Sequence, residues 1–391
     1  MMQSVRASAA GNLESVLLCA QTRVDSDTSK QILALAANEP DWDAILKAAC
    51  EHSLVPIFCR NIEAYGGEAL PFSWRRRFSG EFLRNSCRNL ALAAELFRVL
   101  EALERHGVCA TPYKGPILAA EAYGDAAMRQ FSDLDIIVPQ RQIVAAHDAL
   151  LALGFRPVVC GVEPQAAGRQ VPGQYAYQNN TETMVELHTE LTLRYFPRRL
   201  DLAELCGRRE FVQVAGRPVL TFSSDDTLLL LCVHGSKHFW ERLGWIADIA
   251  ALTRASRPVD WAIAMKRARK WGIRRMVLLG AGLAEQLFQA PLPNEVTDCL
   301  RSDATARRLI ARTCRRVFAA EPVQLGVFSR FAFRVRMRGP LAHGLPYAIR
   351  LALVPTEFET GAHARYLRPV HALLRPLRLA RTYGWRTRGG D

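Results

Sequence analysis

The stretch SDLDIIV at Ser132–Val138 carries the strongest structural signal in this chain of 391 residues. Its β-branched and apolar residues predict a short strand. Alternate residues of a strand face the same side, so Asp133 and Asp135 share one face while Leu134 and Ile136 point into a core. Neighbouring carboxylates repel each other when ionised, and a shared cation removes that cost. Such a pair therefore indicates a site for Mg²⁺ or Mn²⁺ beside substrate phosphates, or simply a pair of acids on a surface strand.

The elements around this strand predict a small mixed α/β unit over residues 107–222. Apolar and β-branched runs favour strands, periodic apolar positions favour helices, and the turn residues Asn179-Asn180 favour a hairpin. The predicted elements are a strand at Val108–Tyr113, a helix at Pro116–Tyr123, a helix at Gln140–Leu153, a strand at Phe155–Cys160, and hairpin strands at Gln174–Asn179 and Thr183–Leu191.

Helical patterns flank the mixed unit on both sides. The clearest is Ser79–His106, with Ser79 as the N-cap and Gly107 in the position of a C-terminal glycine. The sequence therefore predicts the α+β class, with a small mixed-sheet core between helical regions. We expect the regions to be 1–106 (helical), 107–222 (core), 223–300 (helical, on the substrate side) and 301–391 (helical and rich in arginine).

Charge and cysteine usage limit the function classes. The net charge of +13 comes from residues 301–391, which contain eighteen arginines and five acidic residues. Such a segment can attract nucleic acid or an acidic partner, or it can form a solvated helical surface. The ten cysteines are scattered without a CxxC pair, and no apolar run is long enough to span a membrane. These features predict a cytoplasmic protein with reduced thiols and no membrane span.

Further polar residues extend the candidate site along the chain. Lys114-Gly115 stands at a strand-to-helix junction, where glycine lets a ligand approach the backbone and a helix N-terminus favours phosphate. Arg129 can bind phosphate through two hydrogen bonds. Glu186 and His188 share a face of a later strand, so Glu186 can supply a third carboxylate. Each of these residues can also be an ordinary surface or core residue.

The segment His234–Asp248 has three interpretations. His234 and His238 are four residues apart and share a helix face, on which they can bind zinc together with Asp248. Alternatively, the helix places its polar face over a nucleotide or an acceptor. The third interpretation is a helix that packs its tryptophans and exposes the rest. Lys237 and Asp248 would lie about 16 Å apart along one continuous helix, so both can reach one ligand only if the helix bends or breaks near Gly244.

These motifs together resemble the uncharacterised nucleotidyltransferase family of the DNA polymerase β-like superfamily. The resemblance rests on Lys114-Gly115, Arg129-x-x-x-Asp133-x-Asp135, Glu186-x-His188 and the segment from His234 to Asp248, and it extends weakly over residues 80–385. The superfamily's usual Gly-Ser is Gly115-Pro116 here, which removes the serine hydroxyl that touches phosphate. The sequence contains no G-x-S-x-G, Walker or dinucleotide-binding motif.

The resemblance implies transfer of NMP, most simply AMP from ATP, with two Mg²⁺ or Mn²⁺ ions. It implies catalysis and metal binding by Asp133, Asp135 and Glu186. Nucleotide contacts are expected from Lys114, Gly115, Arg129 and Ser132. Substrate contacts are expected from His188, His234, Lys237 and His238. The expected acceptor is a hydroxyl or phosphate of a small molecule or a peptide; the alternatives are RNA-directed transfer and a non-catalytic scaffold that keeps the fold.

Overall fold

The computed structural model describes residues 2–158, 173–190, 201–319 and 325–338. The N-terminal helices are α1 (Met2–Cys19), α2 (Ser26–Ala37), α3 (Trp42–Glu51), α4 (Val55–Tyr65) and α5 (Phe72–Arg105). The mixed unit comprises β1 (Thr111–Pro112), α6 (Gly115–Tyr123), β2 (Asp133–Ile137), α7 (Ile143–Ala152), β3 (Arg156–Pro157), β4 (Gln174–Gln178), β5 (Met184–His188), α8 (Leu202–Cys206), β6 (Glu210–Val214) and β7 (Arg217–Thr221). The later helices are α9 (Ser224–Lys237), α10 (Leu243–Leu252), α11 (Trp261–Lys270), α12 (Arg274–Phe288), α13 (Asn294–Ser302), α14 (Ala304–Val317) and α15 (Val327–Arg336).

The main sheet has the strand order β1-β2-β5-β4-β3. The central pair β2 and β5 is parallel, and the other neighbours are antiparallel. The predicted α+β class and the hairpin of β4 with β5 are therefore confirmed. The register sets Asp135 opposite Glu186. Strands β6 and β7 form a separate hairpin that the sequence analysis did not predict.

Two apolar cores hold the described residues together. One lies under the sheet, where Leu134 and Ile136 of β2 and Val185 and Leu187 of β5 pack against α5 and α7. This confirms that the apolar residues between the acids point inward. The other core joins the N-terminal helices to α9–α15 around the fully buried Trp240. Helices from both ends of the chain thus share one core, while the predicted domain boundaries stay a prediction.

Helix α5 differs from the predicted helix at Ser79–His106 in its start and in its buried face. It begins at Phe72, so Ser79 is not an N-cap, and the Ser79 hydroxyl donates to Glu63 at 2.7 Å. The earlier start follows from packing, because Phe78 contacts the rings of Trp42 and Phe58. Leu83 and Leu90 of the apolar period are 62% and 57% exposed. The helix instead buries the face that carries Leu92, Leu96, Val99 and Leu103.

The segment His234–Asp248 is two helices and not one. Helix α9 ends at Lys237, and α10 begins at Leu243. The break lies before Gly244, at Phe239 and Trp240, which both adopt a positive φ of 57°. Burial of the Trp240 ring against α9 accounts for this conformation, because it anchors the turn in the core.

None of the helices in the described ranges combines the length and apolarity that a membrane span requires. The nine cysteines within those ranges are all free thiols. The predicted strand at Val108–Tyr113 shrinks to the two residues of β1, and part of the strand predicted at Phe155–Cys160 lies outside the described residues.

Gly235 is required by the packing of Trp240, and we predict that Gly235→Ala destabilises the protein. A Cβ atom at Gly235 would lie 2.4 Å from the Trp240 ring, which is fully buried and cannot move away. Urea unfolding should show a loss of about 1–3 kcal/mol, the usual cost of overpacking. Gly80→Ala in α5 is the matched control, because its nearest atom is the flexible end of Arg84 at 3.8 Å. It should stabilise the helix by up to about 1 kcal/mol, and equal effects of the two changes would contradict the prediction.

Candidate active site

A cavity of about 640 Å³ lies between one face of the sheet and helices α5, α9 and α10. Its volume suits a small-molecule or nucleotide ligand. The cavity brings together the residues that the sequence singled out. These are Lys114, Gly115, Arg129, Ser132, Asp133, Asp135, Glu186, His188, His234, Lys237 and His238.

The floor of the cavity is a cluster of Asp135, Glu186 and His188. The parallel register places the two carboxylates side by side, and His188 follows Glu186 on the same face of β5. The Nε2 atom of His188 lies 2.8 Å from Oδ1 of Asp135 and 3.5 Å from Oε2 of Glu186. Ligand atoms of the three residues all lie within 4.8 Å of one another. The cluster therefore has the size and donor types of a divalent-cation site.

Charge balance explains how Asp135 remains ionised in this cluster. Burial alone would raise the pKa of Asp135, but the ammonium of Lys114, 3.3 Å away, and the hydrogen bond from His188 hold it well below its usual range. For His188, burial alone would lower the pKa, but its hydrogen bonds to Asp135 and Glu186 raise it. The carboxylate of Asp135 is thus stabilised by the ammonium of Lys114 and by the hydrogen bond from His188.

Asp133 lies on the same strand face as Asp135 but outside this three-residue cluster. It is half-buried, and burial together with the charge of Asp135 raises its pKa. Among the described residues, the three groups close enough to share one ion are Asp135, Glu186 and His188. Asp133 lines the same cavity, so its predicted role as a ligand stays a prediction.

The junction between β1 and α6 carries backbone strain. Lys114 has φ 57° and ψ −155°, which a residue with a side chain rarely adopts, and Gly115 follows with φ 45°. A Cβ at Gly115 would lie 3.1 Å from the carbonyl oxygen of Asp133. Pro116 has no N–H, and the N–H of Ile117 donates to the Lys114 carbonyl at 3.0 Å. Two amides of the first turn are therefore unavailable to a phosphate, unlike in the expected helix N-terminus.

Arg129 forms a buried ion pair with Asp248 of α10. Its Nε and one terminal nitrogen donate to the two oxygens of Asp248 at 2.8 and 2.9 Å. The hydroxyl of Tyr123 donates to the same carboxylate at 3.0 Å. The backbone carbonyl of Arg129 accepts a hydrogen bond from Asn89 of α5 at 2.7 Å. This network joins the segment before β2 to both helical walls, and it commits two of the Arg129 donors that the sequence analysis assigned to phosphate.

The wall opposite the carboxylates contains an aromatic corner of His234, His238 and Trp245. The three ring centroids lie 4.7–5.2 Å apart. Burial, followed by the charge of Lys237, lowers the pKa of His238 to about 4, and burial and Lys114 hold the pKa of His234 well below its usual range. Both imidazoles are therefore neutral near pH 7. Asp248 pairs with Arg129, which disfavours the interpretation of a zinc site made with the two histidines.

Sequence reasoning missed several residues of the site. Gln174 of β4 donates to Oε2 of Glu186 at 2.5 Å and stands opposite His188 in the register. The predicted hairpin could have revealed Gln174. Its turn at Asn179 sets the register of β4 with β5, and this register places Gln174 opposite His188. Arg88 of α5 also lines the cavity, and the apolar period of this helix gives no signal for it.

A comparison with known protein families finds a match for this chain. Residues 38–289 match the sequence profile of a family described as uncharacterised nucleotidyltransferase. A comparison with curated proteins finds no match. Among solved structures, the antibiotic-resistance factor ANT(2'')-Ia, whose solution structure reveals substrate-regulated conformation dynamics, is similar over 58% of this chain and 98% of its own, with 12% sequence identity and a TM-score of 0.30.

The sequence match gives the class of protein, which is nucleotidyltransferase. Because the matched region spans more than half of the chain, the chain belongs to the uncharacterised nucleotidyltransferase family. This confirms the resemblance seen in the sequence and supports nucleotidyl transfer as the general activity. The match begins earlier than the resemblance, at residue 38, and ends at residue 289. The part of the resemblance after residue 289 lies beyond the matched region.

We predict that Lys114→Gly is more stable than Lys114→Met. Both variants remove the ammonium from Asp135, but only glycine adopts the positive φ of this position without strain. The glycine variant should exceed the methionine variant by about 1–2 kcal/mol in the free energy of unfolding. Urea titration of both variants measures the difference, and a methionine variant of equal or greater stability would contradict a strained junction.

Removal of Asp248 should strongly destabilise the protein, because it leaves the guanidinium of Arg129 buried without its partner. The side chains of this pair are 12% and 3% exposed. Asp248→Ala should cost about 3 kcal/mol or more, while the double variant Arg129→Met/Asp248→Leu should recover much of the loss. Asp298→Ala, which breaks the exposed pair with Arg301, is the control and should change stability by less than about 1 kcal/mol. A double variant no more stable than Asp248→Ala would refute this account.

Proposed function

We propose that this protein transfers NMP from an NTP, expected to be AMP from ATP, to a hydroxyl or phosphate of a small-molecule or peptide acceptor. The observation that carries the proposal is the cluster of Asp135, Glu186 and His188 on the floor of a nucleotide-sized cavity, with Lys114 beside it. Family membership supports the general reaction. The donor, the acceptor and the dependence on Mg²⁺ or Mn²⁺ are parts of the proposal.

The residues of the floor fit a divalent cation. Two carboxylates and an imidazole converge there, and His188 already places a hydrogen-bond donor between the two acids. Asp135 and Glu186 would hold the ion, with Asp133 of the same strand face as the third carboxylate. When bound, Mg²⁺ or Mn²⁺ would neutralise the phosphates and lower the pKa of an acceptor hydroxyl.

In the proposed reaction each side chain of the site has its own role. An acceptor oxygen forms a bond to the α-phosphorus, and the bond from that phosphorus to the bridging oxygen breaks, which releases pyrophosphate. Glu186, which accepts a hydrogen bond from Gln174, would take the acceptor proton. Lys114 supplies positive charge to the phosphates, in the way that fixed cations stabilise a transition state. Gly115 and Ser132 line the same cavity and would contact the nucleotide.

The helical walls position the substrates in this proposal. The ion pair of Arg129 with Asp248 holds the segment before the strand that carries Asp133 and Asp135. Direct contact of Arg129 with a phosphate stays a prediction. His188 belongs to the floor, whereas His234, Lys237 and His238 line the facing wall. An acceptor bound between them would be held near the α-phosphate, and such alignment supplies much of the rate of a transfer reaction.

We predict that Asp135→Asn abolishes transfer. The variant removes one charge from the floor with little change in shape, so pyrophosphate release should fall at least roughly a hundredfold. The assay combines the protein, α-labelled NTPs, Mg²⁺ and a small-molecule and peptide extract, and it measures both pyrophosphate and labelled product. Asp148→Asn, an exposed position on α7, is the matched control and should retain full activity.

Unchanged label transfer in Asp135→Asn would refute the proposed chemistry. The scaffold alternative predicts something different, namely that neither Mg²⁺ nor a non-hydrolysable ATP analogue binds the floor. A ligand of the folded state raises the melting temperature by mass action. Absence of any such rise in the unmodified protein would favour the scaffold.

A further inference from the structure

The sheet side of the cavity is acidic. Asp133, Asp135, Glu186 and Glu190 line it, with Lys114 as the cation among them. In the proposed function this side receives the divalent cation and the triphosphate, because the carboxylates would hold the ion and the ion would hold the phosphates. The donor nucleotide thus accounts for the charges of this half.

The helical side of the same cavity is basic. Arg88 of α5, Lys237 at the end of α9 and Arg242 before α10 all line it. Among the described residues, the acid of this side that does not pair with Arg129 is Glu241, which is exposed and interacts electrostatically with Arg316 outside the cavity lining. The ion pair of Arg129 with Asp248 contributes no net charge to this side. This half therefore carries an excess of positive charge that the donor site does not require.

The aromatic corner lies within this basic half. His238 and Trp245 have ring centroids 5.2 Å apart, and the guanidinium of Arg242 lies 5.8 Å from the Trp245 ring. Four cations, Lys237, Lys114, Arg242 and Arg334, act on His238. A flat neutral surface edged by cations is complementary to a ligand with a planar apolar group and an adjacent anion.

We infer that the acceptor is an anion, with a phosphate or carboxylate group held by Lys237 and Arg242 and a planar group packed on His238 and Trp245. The inference rests on the proposed function, because it assigns the sheet side to the donor. It specifies the substrate class, since a cationic acceptor would meet three positive side chains in this half of the cavity.

Calorimetry with small aromatic probes tests the charge preference. The full chain is first saturated with Mg²⁺ and a non-hydrolysable ATP analogue, so that the donor site is filled. Phenyl phosphate, phenylacetate, benzyl alcohol and benzylamine are then titrated in turn. We expect at least one of the two anions to bind about tenfold or more tightly than the alcohol, and the amine to bind most weakly. The tighter anion distinguishes phosphate from carboxylate as the recognised group.

Two neutral variants test which residues bind the anion. Arg242→Gln and Lys237→Gln should each weaken the anionic probes about tenfold and leave the affinity for the ATP analogue unchanged. Trp245→Leu should weaken charged and neutral probes alike, because it removes the ring surface. Arg269→Gln and Lys266→Gln are matched controls at exposed positions of α11 and should change nothing. Arg242 is itself exposed, so its variant is expected to fold, and an unfolding curve verifies this.

Each other outcome overturns the inference. Equal binding of the alcohol or the amine, absence of binding by all four probes, or anion binding that survives both glutamine variants would show that the basic half does not select an anion. If anion binding is lost in Lys114→Gln but not in Arg242→Gln, the probe binds on the sheet side of the cavity, where the donor is expected. Failure of the ATP analogue itself to bind in the first step would instead refute the proposed function.

Discussion

The parallel pairing of β2 with β5 is the constraint on which the rest of the site depends. It sets Asp135 beside Glu186 at the buried edge of a cavity, where two carboxylates cannot both stay ionised without nearby cations. The protein supplies a hydrogen-bond donor and a cation from two directions. His188 comes from the same strand as Glu186, and Lys114 comes from the junction before α6 in a strained backbone conformation. The residue in the strained conformation, Lys114, is thus also the one whose ammonium balances the charge of Asp135.

The wall over this floor depends on a helix break and on the N-terminal region. The chain turns at Phe239 and Trp240 after α9 ends, so that Leu243 can start another helix in a new direction. His52, at the C-terminal end of α3, holds the start of α10 in place. The N–H of Leu243 donates to Nδ1 of His52, and the N–H of Gly244 donates to the His52 carbonyl. The N-terminal helices are therefore part of the structure that encloses the cavity and not an appendage to it.

Local patterns in the sequence predicted many elements of the mixed unit, but they missed β6 and β7 and did not predict the long-range contacts. The alternation in Ser132–Val138 correctly placed Asp135 on a polar face and Leu134 in the core, because strand geometry is local. The pairing of Arg129 with Asp248 spans 119 residues, and nothing in either segment specifies it. The exposed Leu83 shows the converse limit, since an apolar period indicates a helix without fixing which face the tertiary structure buries.

The departure from the superfamily's Gly-Ser pattern has a structural counterpart at the same junction. Pro116 removes one amide from the first turn of α6, and the Ile117 amide is bonded to the Lys114 carbonyl, so this helix start offers few donors to an anion. A junction of this kind cannot bind phosphate mainly through its backbone. Its charge must come from side chains, and Lys114 is the cation that the junction itself contributes, at 3.3 Å from Asp135. In the proposed function, phosphate contacts at this junction would therefore come from the ammonium of Lys114 more than from hydroxyl or amide groups.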